Sequence, residues 1–181
     1  MNVLPSDIYT VILSQLDVVS KAMLRKTCTY CRDIINEPLK VSTSIVVTHG
    51  SLKQLLWYYD NYYFISYKIA ATVAARTGNL EVLEWVNKEP TNNRNPVNFK
   101  NIHEVAMNNV QLHVLQWFEK VHGIPINTNA VANNAIDKNK IEVLKLLKQD
   151  DYKFNVDHLL RAGINKNAEI ATWLKENGVP N

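Results

Sequence analysis

Five segments of the chain share one spacing of apolar and polar positions: HGSLKQLLWYY (49–59), TGNLEVLEWVN (77–87), NVQLHVLQWFE (109–119), NKIEVLKLLK (139–148) and KNAEIATWLKE (166–176). They align on Leu52, Leu80, Leu112, Ile141 and Ala168. Three residues further on stand Leu55, Leu83, Leu115, Leu144 and Ala171. Five further stand Trp57, Trp85, Trp117, Leu146 and Trp173, and six further Tyr58, Val86, Phe118, Leu147 and Leu174. On a helix these offsets fall on one side, so each segment is predicted to be an amphipathic helix with a fixed buried face. A large apolar residue in the tryptophan column is expected to fill the interface between neighbouring units rather than to hold a ligand.

The repeat extends backwards. Val46, Ala74, Ala106, Ala135 and Ala162 lie six residues before the alignment point. Small residues there imply that a first helix approaches the second closely. Gly50, Gly78, Asn109, Asn139 and Asn165 or Asn167 are expected to form the intervening turn. Each unit therefore reads as helix, turn, helix. The alignment points are 28, 32, 29 and 27 residues apart, a period that predicts an all-α solenoid of about five stacked hairpins over residues 41–181. The units run approximately 41–66, 67–97, 98–127, 128–155 and 156–181. Asn- and Pro-rich stretches such as KEPTNNRNPVNFKN are the expected connections.

From about residue 42 onward this pattern resembles ankyrin repeats, most closely the divergent ones of large DNA viruses that infect protists. The matching residues are Ala74, Ala75, Gly78, Leu80, Glu81, Val82, Leu83 and Trp85, and in the last unit Trp173, Leu174, Asn177 and Gly178. The Thr-Pro-Leu-His tetrapeptide of that family is missing, and the period is shorter than its roughly 33 residues. These departures leave open whether the β-hairpin fingers of the family are present between units or are replaced by plain loops. The resemblance implies target-protein binding by first-helix and loop surfaces, with Arg76, Asn108, Asp137 and Arg161 as the exposed first-helix candidates.

Residues 1–40 follow another pattern. Leu4, Ile8, Val11 or Ile12, and Leu16 keep helical offsets after Pro5 and Ser6, with Asp7 in the first turn, where the helix dipole favours a carboxylate. Asp17 is placed to cap a second helix containing Val19 and Met23. Leu24, Cys28, Cys31 and Ile35 recur at spacings of four, three and four, which keeps them on one helical stripe. Arg25, Lys26 and Arg32 then face elsewhere.

The run LPSDIYTVILSQLDVVSKAMLRKTCTYCRDII resembles an F-box, through Leu4, Pro5, Asp7, Ile8, Ile12, Leu13, Leu16, Leu24, Arg25, Cys28, Cys31, Arg32 and Ile35. The resemblance implies a three-helix module in which Leu4, Pro5, Ile8, Ile12 and Leu16 dock onto the Skp-type adaptor of a cullin-RING ubiquitin ligase, while the repeats select the target. The alternative is a scaffold, for instance a component of a viral particle bridging other structural subunits, in which these helices only cap the solenoid.

Composition narrows the chemistry. The 181 residues are 46% hydrophobic and 20% charged, with a formal net charge of +3. That charge is spread along the chain, so neither nucleic acid nor a membrane surface is an expected partner. The N-terminus lacks the features of a secretory signal, no run is long enough for a membrane span, and two cysteines do not staple a scaffold, which together suggest an intracellular, cytoplasmic protein. In a virus, host cytoplasm or the virion would be the setting. Cys28 and Cys31 form a CxxC pair, half of a zinc site at most, and His49, His103, His113, His122 and His158 are scattered. No phosphate loop, nucleophile elbow or His-Glu-x-x-His occurs. No catalytic residue, metal or cofactor is expected.

Overall fold

A computed structural model describes residues 6–27, 29–35, 41–62, 65–88 and 97–180. Among them are thirteen helices and no strand, so the fold is all-α. The chain divides into two compact units, residues 1–74 with 81–97, and residues 75–80 with 98–181.

The first unit begins with α1 (Ser6–Gln15), α2 (Val18–Thr27) and α3 (Thr29–Ile34), followed by α4 (Thr43–His49) and α5 (Leu52–Tyr62). Helix α2 packs against α3, α4 and α5, burying Val19 and Ala22. The change of sequence pattern near residue 40 is therefore not a gap in packing. Helix α5 opens with a reciprocal cap, since Ser51 Oγ accepts from the Gln54 amide (3.3 Å) and Gln54 Oε1 from the Ser51 amide (2.7 Å). The Tyr58 hydroxyl donates to the carbonyl of Val41 (2.9 Å). Helices α6 (Tyr67–Thr77) and α7 (Leu80–Lys88) follow, with the Trp85 and Tyr67 rings in tilted contact at 5.2 Å between centroids.

The second unit holds three hairpins. These are α8 (Phe99–Asn108) with α9 (Leu112–His122), α10 (Thr128–Asp137) with α11 (Ile141–Gln149), and α12 (Val156–Ile164) with α13 (Ala168–Glu176). Their first helices lie side by side, α10 against both α8 and α12. Each first helix starts on an asparagine whose side chain accepts from backbone amides: Asn98 from Lys100 and Asn101, Asn127 from Ala130, and Asn155 from His158. The connections at 123–127 and 150–155 carry no strand.

From α6–α7 onward the turn inside each hairpin repeats one geometry, whereas Gly50, between α4 and α5, is extended (φ −102°). Two residues before the alignment point the backbone enters the left-handed region: Gly78 (φ 85°), Val110 (59°), Asn139 (53°) and Lys166 (55°). Gly78 and Asn139 are expected there, whereas Val110 and Lys166 replace the anticipated Asn109 and Asn165 or Asn167. A valine with positive φ is costly because its branched Cβ crowds the carbonyl. Closure of the helix end supplies the compensating bonds. The amides of Gln111, Lys140 and Asn167 donate to the carbonyls of Ala106, Ala135 and Ala162 at 3.0, 2.8 and 2.9 Å. Those alanines are fully buried, so the same small residue admits the neighbouring helix and closes the turn. At Gly78 the space is tight as well, since a Cβ would meet Gln111 Oε1 at 2.7 Å and His113 Cε1 at 2.9 Å.

The buried face of the second helices departs from expectation in one column. Leu55, Leu83, Leu115 and Leu144 are inaccessible, as are Phe118 and Leu174, but Trp57, Trp85 and Trp173 are half-buried and Leu146 is 47% exposed. Of that column only Trp117 is buried. At about 100° per residue, offsets two, three and six from the alignment point cluster within about 100°, while offsets zero and five stand to either side. Val82, Val114 and Ile170, at offset two, occupy the centre instead. The tryptophans rim the core. There Trp173 meets Phe154 of the preceding connection (5.5 Å), and Trp85 meets Tyr59 as well as Tyr67.

Candidate functional site

Helix α1 presents Ile8, Val11 and Ile12 on one side, as the i, i+3, i+4 spacing requires. They are 44%, 62% and 39% exposed. An amphipathic helix in a folded unit ordinarily turns such a face inward, whereas this one faces outward. Leu13 and Leu16 are half-buried, and the Leu16 amide donates to the Leu13 carbonyl (3.3 Å). Leu4 and Pro5 lie outside the described residues. Val11, the most exposed of the three, was offered by the sequence only as an alternative to Ile12; the helical period admits both.

Beyond α1, a polar relay joins α2 to α5. Asp17 Oδ1 accepts from the amides of Val19 (2.8 Å) and Ser20 (2.9 Å), capping α2 as the sequence implies, while its Oδ2 accepts from Ser20 Oγ (2.7 Å). These bonds, the Ser20 amide foremost, hold the carboxyl below its ordinary range. Ser20 Oγ in turn accepts from Gln54 Nε2 at 3.0 Å, tying α2 to the cap of α5. Cys31 and Ile35 are buried and Leu24 is half-buried, whereas Cys28 lies outside the described residues. Lys26 and Arg32 are exposed as expected; Arg25 is half-buried, with its Nε withdrawn from solvent.

The second candidate surface lies on the first helices of the repeats. Arg76 and Asn108 are exposed. Asp137 and Arg161 instead bind each other, Nε to Oδ1 at 2.7 Å and Nη2 to Oδ2 at 2.6 Å, and Asn165 Nδ2 adds a third bond to Oδ1 at 2.8 Å. The hydrogen bond from Arg161 lowers the pKa of Asp137, and the same bond raises the pKa of Arg161. The pair joins α10 to α12. Arg76, Asn108 and Asp137 all stand four residues before their alignment points, where the last unit carries Ile164, 80% exposed. Arg161 is three residues ahead of that register, and counting the offset strictly selects Ile164.

Three histidines are partly or wholly enclosed. His158 is 2% exposed, forms a capping box with Asn155 and contacts the Tyr152 hydroxyl at 3.2 Å. His103 is buried beside Phe118, and His122 stacks on Phe99 at 4.5 Å. Burial pushes all three below the ordinary histidine value. Among the described residues no three His, Cys, Asp or Glu side chains gather at metal-binding distance, and no helix is long and apolar enough to cross a membrane.

Residues 1–42 match the family model of the F-box domain, the stretch that carries α1, α2 and α3. No curated protein and no solved structure matches the chain. An F-box domain is an interaction module, consistent with an adaptor rather than a catalyst.

Proposed function

We propose that the protein is a substrate receptor of a cullin-RING ubiquitin ligase. Helix α1 docks on a Skp-type adaptor, and ankyrin-like repeats after residue 41 hold a target. The observation that carries this reading is the outward apolar face of α1, within the segment that matches the F-box domain. A helix serving only to cap a solenoid would bury Ile8, Val11 and Ile12. The repeated hairpins, with left-handed turns and buried alanines at constant register, support the ankyrin-like assignment. The exposed first-helix side, including Arg76 and Asn108, is the target-facing surface, and the resemblance to viral repeats suggests a host protein as the target. Both partners place the protein in the cytoplasm.

Co-expression with a Skp-type adaptor tests the docking face. The wild type co-purifies with the adaptor, and Val11→Asp combined with Ile12→Asp abolishes co-purification while the far-UV circular dichroism stays unchanged. Equal recovery of the folded variant, or no recovery of the wild type, overturns the reading.

A further inference from the structure

We propose that the chain forms a two-fold dimer through the outer face of α12, the occupant of that face being α12 of a second copy laid antiparallel. Val156, Leu160 and Ile164 are 37%, 59% and 80% exposed. Spaced four apart, they occupy about 80° of the helix surface. Leu159 and Gly163 continue this arc to one side, where with Ala171 and Lys175 they line a groove of about 590 Å³.

Comparison with the preceding hairpin shows that repeat packing does not require this face. The registers of Val156, Leu160 and Ile164 carry Asn129, Asn133 and Asp137 in that unit, and Lys100, Glu104 and Asn108 in the one before. The registers of Leu159, Gly163 and Ala171 carry Ala132 and Ile136, on α10 where α12 lies against it, and Leu144 on α11, all inaccessible or nearly so. Helix α12 therefore exposes apolar side chains both where earlier units are polar and where an earlier unit is covered by a helix.

Self-complementarity identifies the occupant. An antiparallel two-fold centred on Leu160 sets Leu160 against its own copy and Val156 against Ile164, as an isologous contact demands. Asp157 and Arg161 border the arc on the other side. The two-fold brings Asp157 of each chain toward Arg161 of the other, giving two symmetric ion pairs. Arg161 uses Nε and Nη2 on Asp137, so Nη1 takes no part in the intrachain pair. Gly163 has no atom within 4 Å of the position its Cβ would take, which leaves room for a second helix to approach. Two helices of this length make a contact at the low end of specific interfaces, below about 1,200 Å², so the dimer is weak and depends on concentration.

Sedimentation equilibrium of the full chain provides the test. The apparent mass is expected to rise from 20.7 kDa toward twice that value as concentration increases through the micromolar range. Leu160→Asp and the milder Ile164→Ser hold it at the monomer mass with unchanged circular dichroism, and Asp157→Lys weakens association at least tenfold. Val11→Asp leaves dimerisation intact. Leu160→Cys, at the two-fold axis, cross-links to itself on oxidation. A wild type that remains monomeric, a dimer lost in Val11→Asp but kept in the folded Leu160→Asp, or a Leu160→Cys dimer that does not cross-link overturns the proposal. The first two results would leave the α12 face to a different protein.

Discussion

Helix α1 and the second helices of the repeats have similar stripes of aliphatic residues and use them in opposite ways. On α9 and α11 the stripe is enclosed: Val114, Leu115, Phe118 and Leu144 have no accessible surface. On α1 the stripe faces solvent, and Val11 keeps 62% of its surface exposed. Their periodicity is the same. The difference is in what surrounds them: a hairpin in the second unit has another hairpin beside it, whereas in the first unit α2 packs on α3, α4 and α5 and the apolar side of α1 stays outward. Apolar periodicity thus reports that a helix has a face to cover, not that its own chain covers it.

Truncation separates the two uses most sharply. Leu144→Ala should destabilise the protein by about 2–5 kcal/mol, since it opens a cavity in a packed core. Val11→Ala should change stability by less than about 0.5 kcal/mol, as exposed positions generally do. Chemical denaturation monitored by circular dichroism measures both. Similar losses for the two variants would mean that α1 is packed as firmly as α11.

The repeated turn offers a smaller effect of opposite sign. Lys166 is exposed and held at a positive φ, so Lys166→Gly should stabilise the second unit by about 1 kcal/mol as left-handed strain is relieved. A rise in melting temperature checks this. The corresponding change at Val110 is expected to gain less, because that side chain is 3% exposed and its burial would be lost. Gly78→Ala runs the other way, combining left-handed strain with contact against Gln111 and His113.

Acidity provides the mildest probe of the same contrast. His103, His122 and His158, all in the second unit, have folded-state values below the ordinary one of about 6.5. The unfolded chain therefore binds protons first as pH falls. Their contribution to stability is intact above about pH 6.5 and declines as pH drops from there through the depressed folded values. Asp17 behaves similarly at lower pH: its cap on α2 persists above the ordinary carboxylate range and is lost as pH falls through its lowered value. Hydrogen exchange along a pH series should show the second-unit amides losing protection first. Earlier loss in α2 would contradict the assignment.

Periodicity in the sequence carried most of the helical content and the hairpin unit. The four alanines six residues before the later alignment points are buried as their size implied, as is Val46 in the first unit, and the Asp17 cap could be read from position alone. The recurrent Asn98, Asn127 and Asn155 were also present as a signal, an asparagine 13 or 14 residues ahead of the alignment point, but loop-like neighbours disguised them as linker residues. The tryptophan column could not be assigned by counting large apolar residues, because a rim position and a central position both tolerate them.

Local chemistry by itself determined where helices start, where they turn and which side of each is apolar, since capping bonds and the 3.6-residue period act over a few residues. Tertiary structure alone decided which apolar sides are covered, that Asp137 and Arg161 meet each other, and that Val110 and Lys166 rather than the nearby asparagines carry the left-handed turn. These outcomes depend on neighbours more than twenty residues away, or on closing a helix end against a packed alanine. The outward faces of α1 and α12 belong to the same class: their sequences specify the stripe, and only the arrangement of the surrounding helices leaves it open.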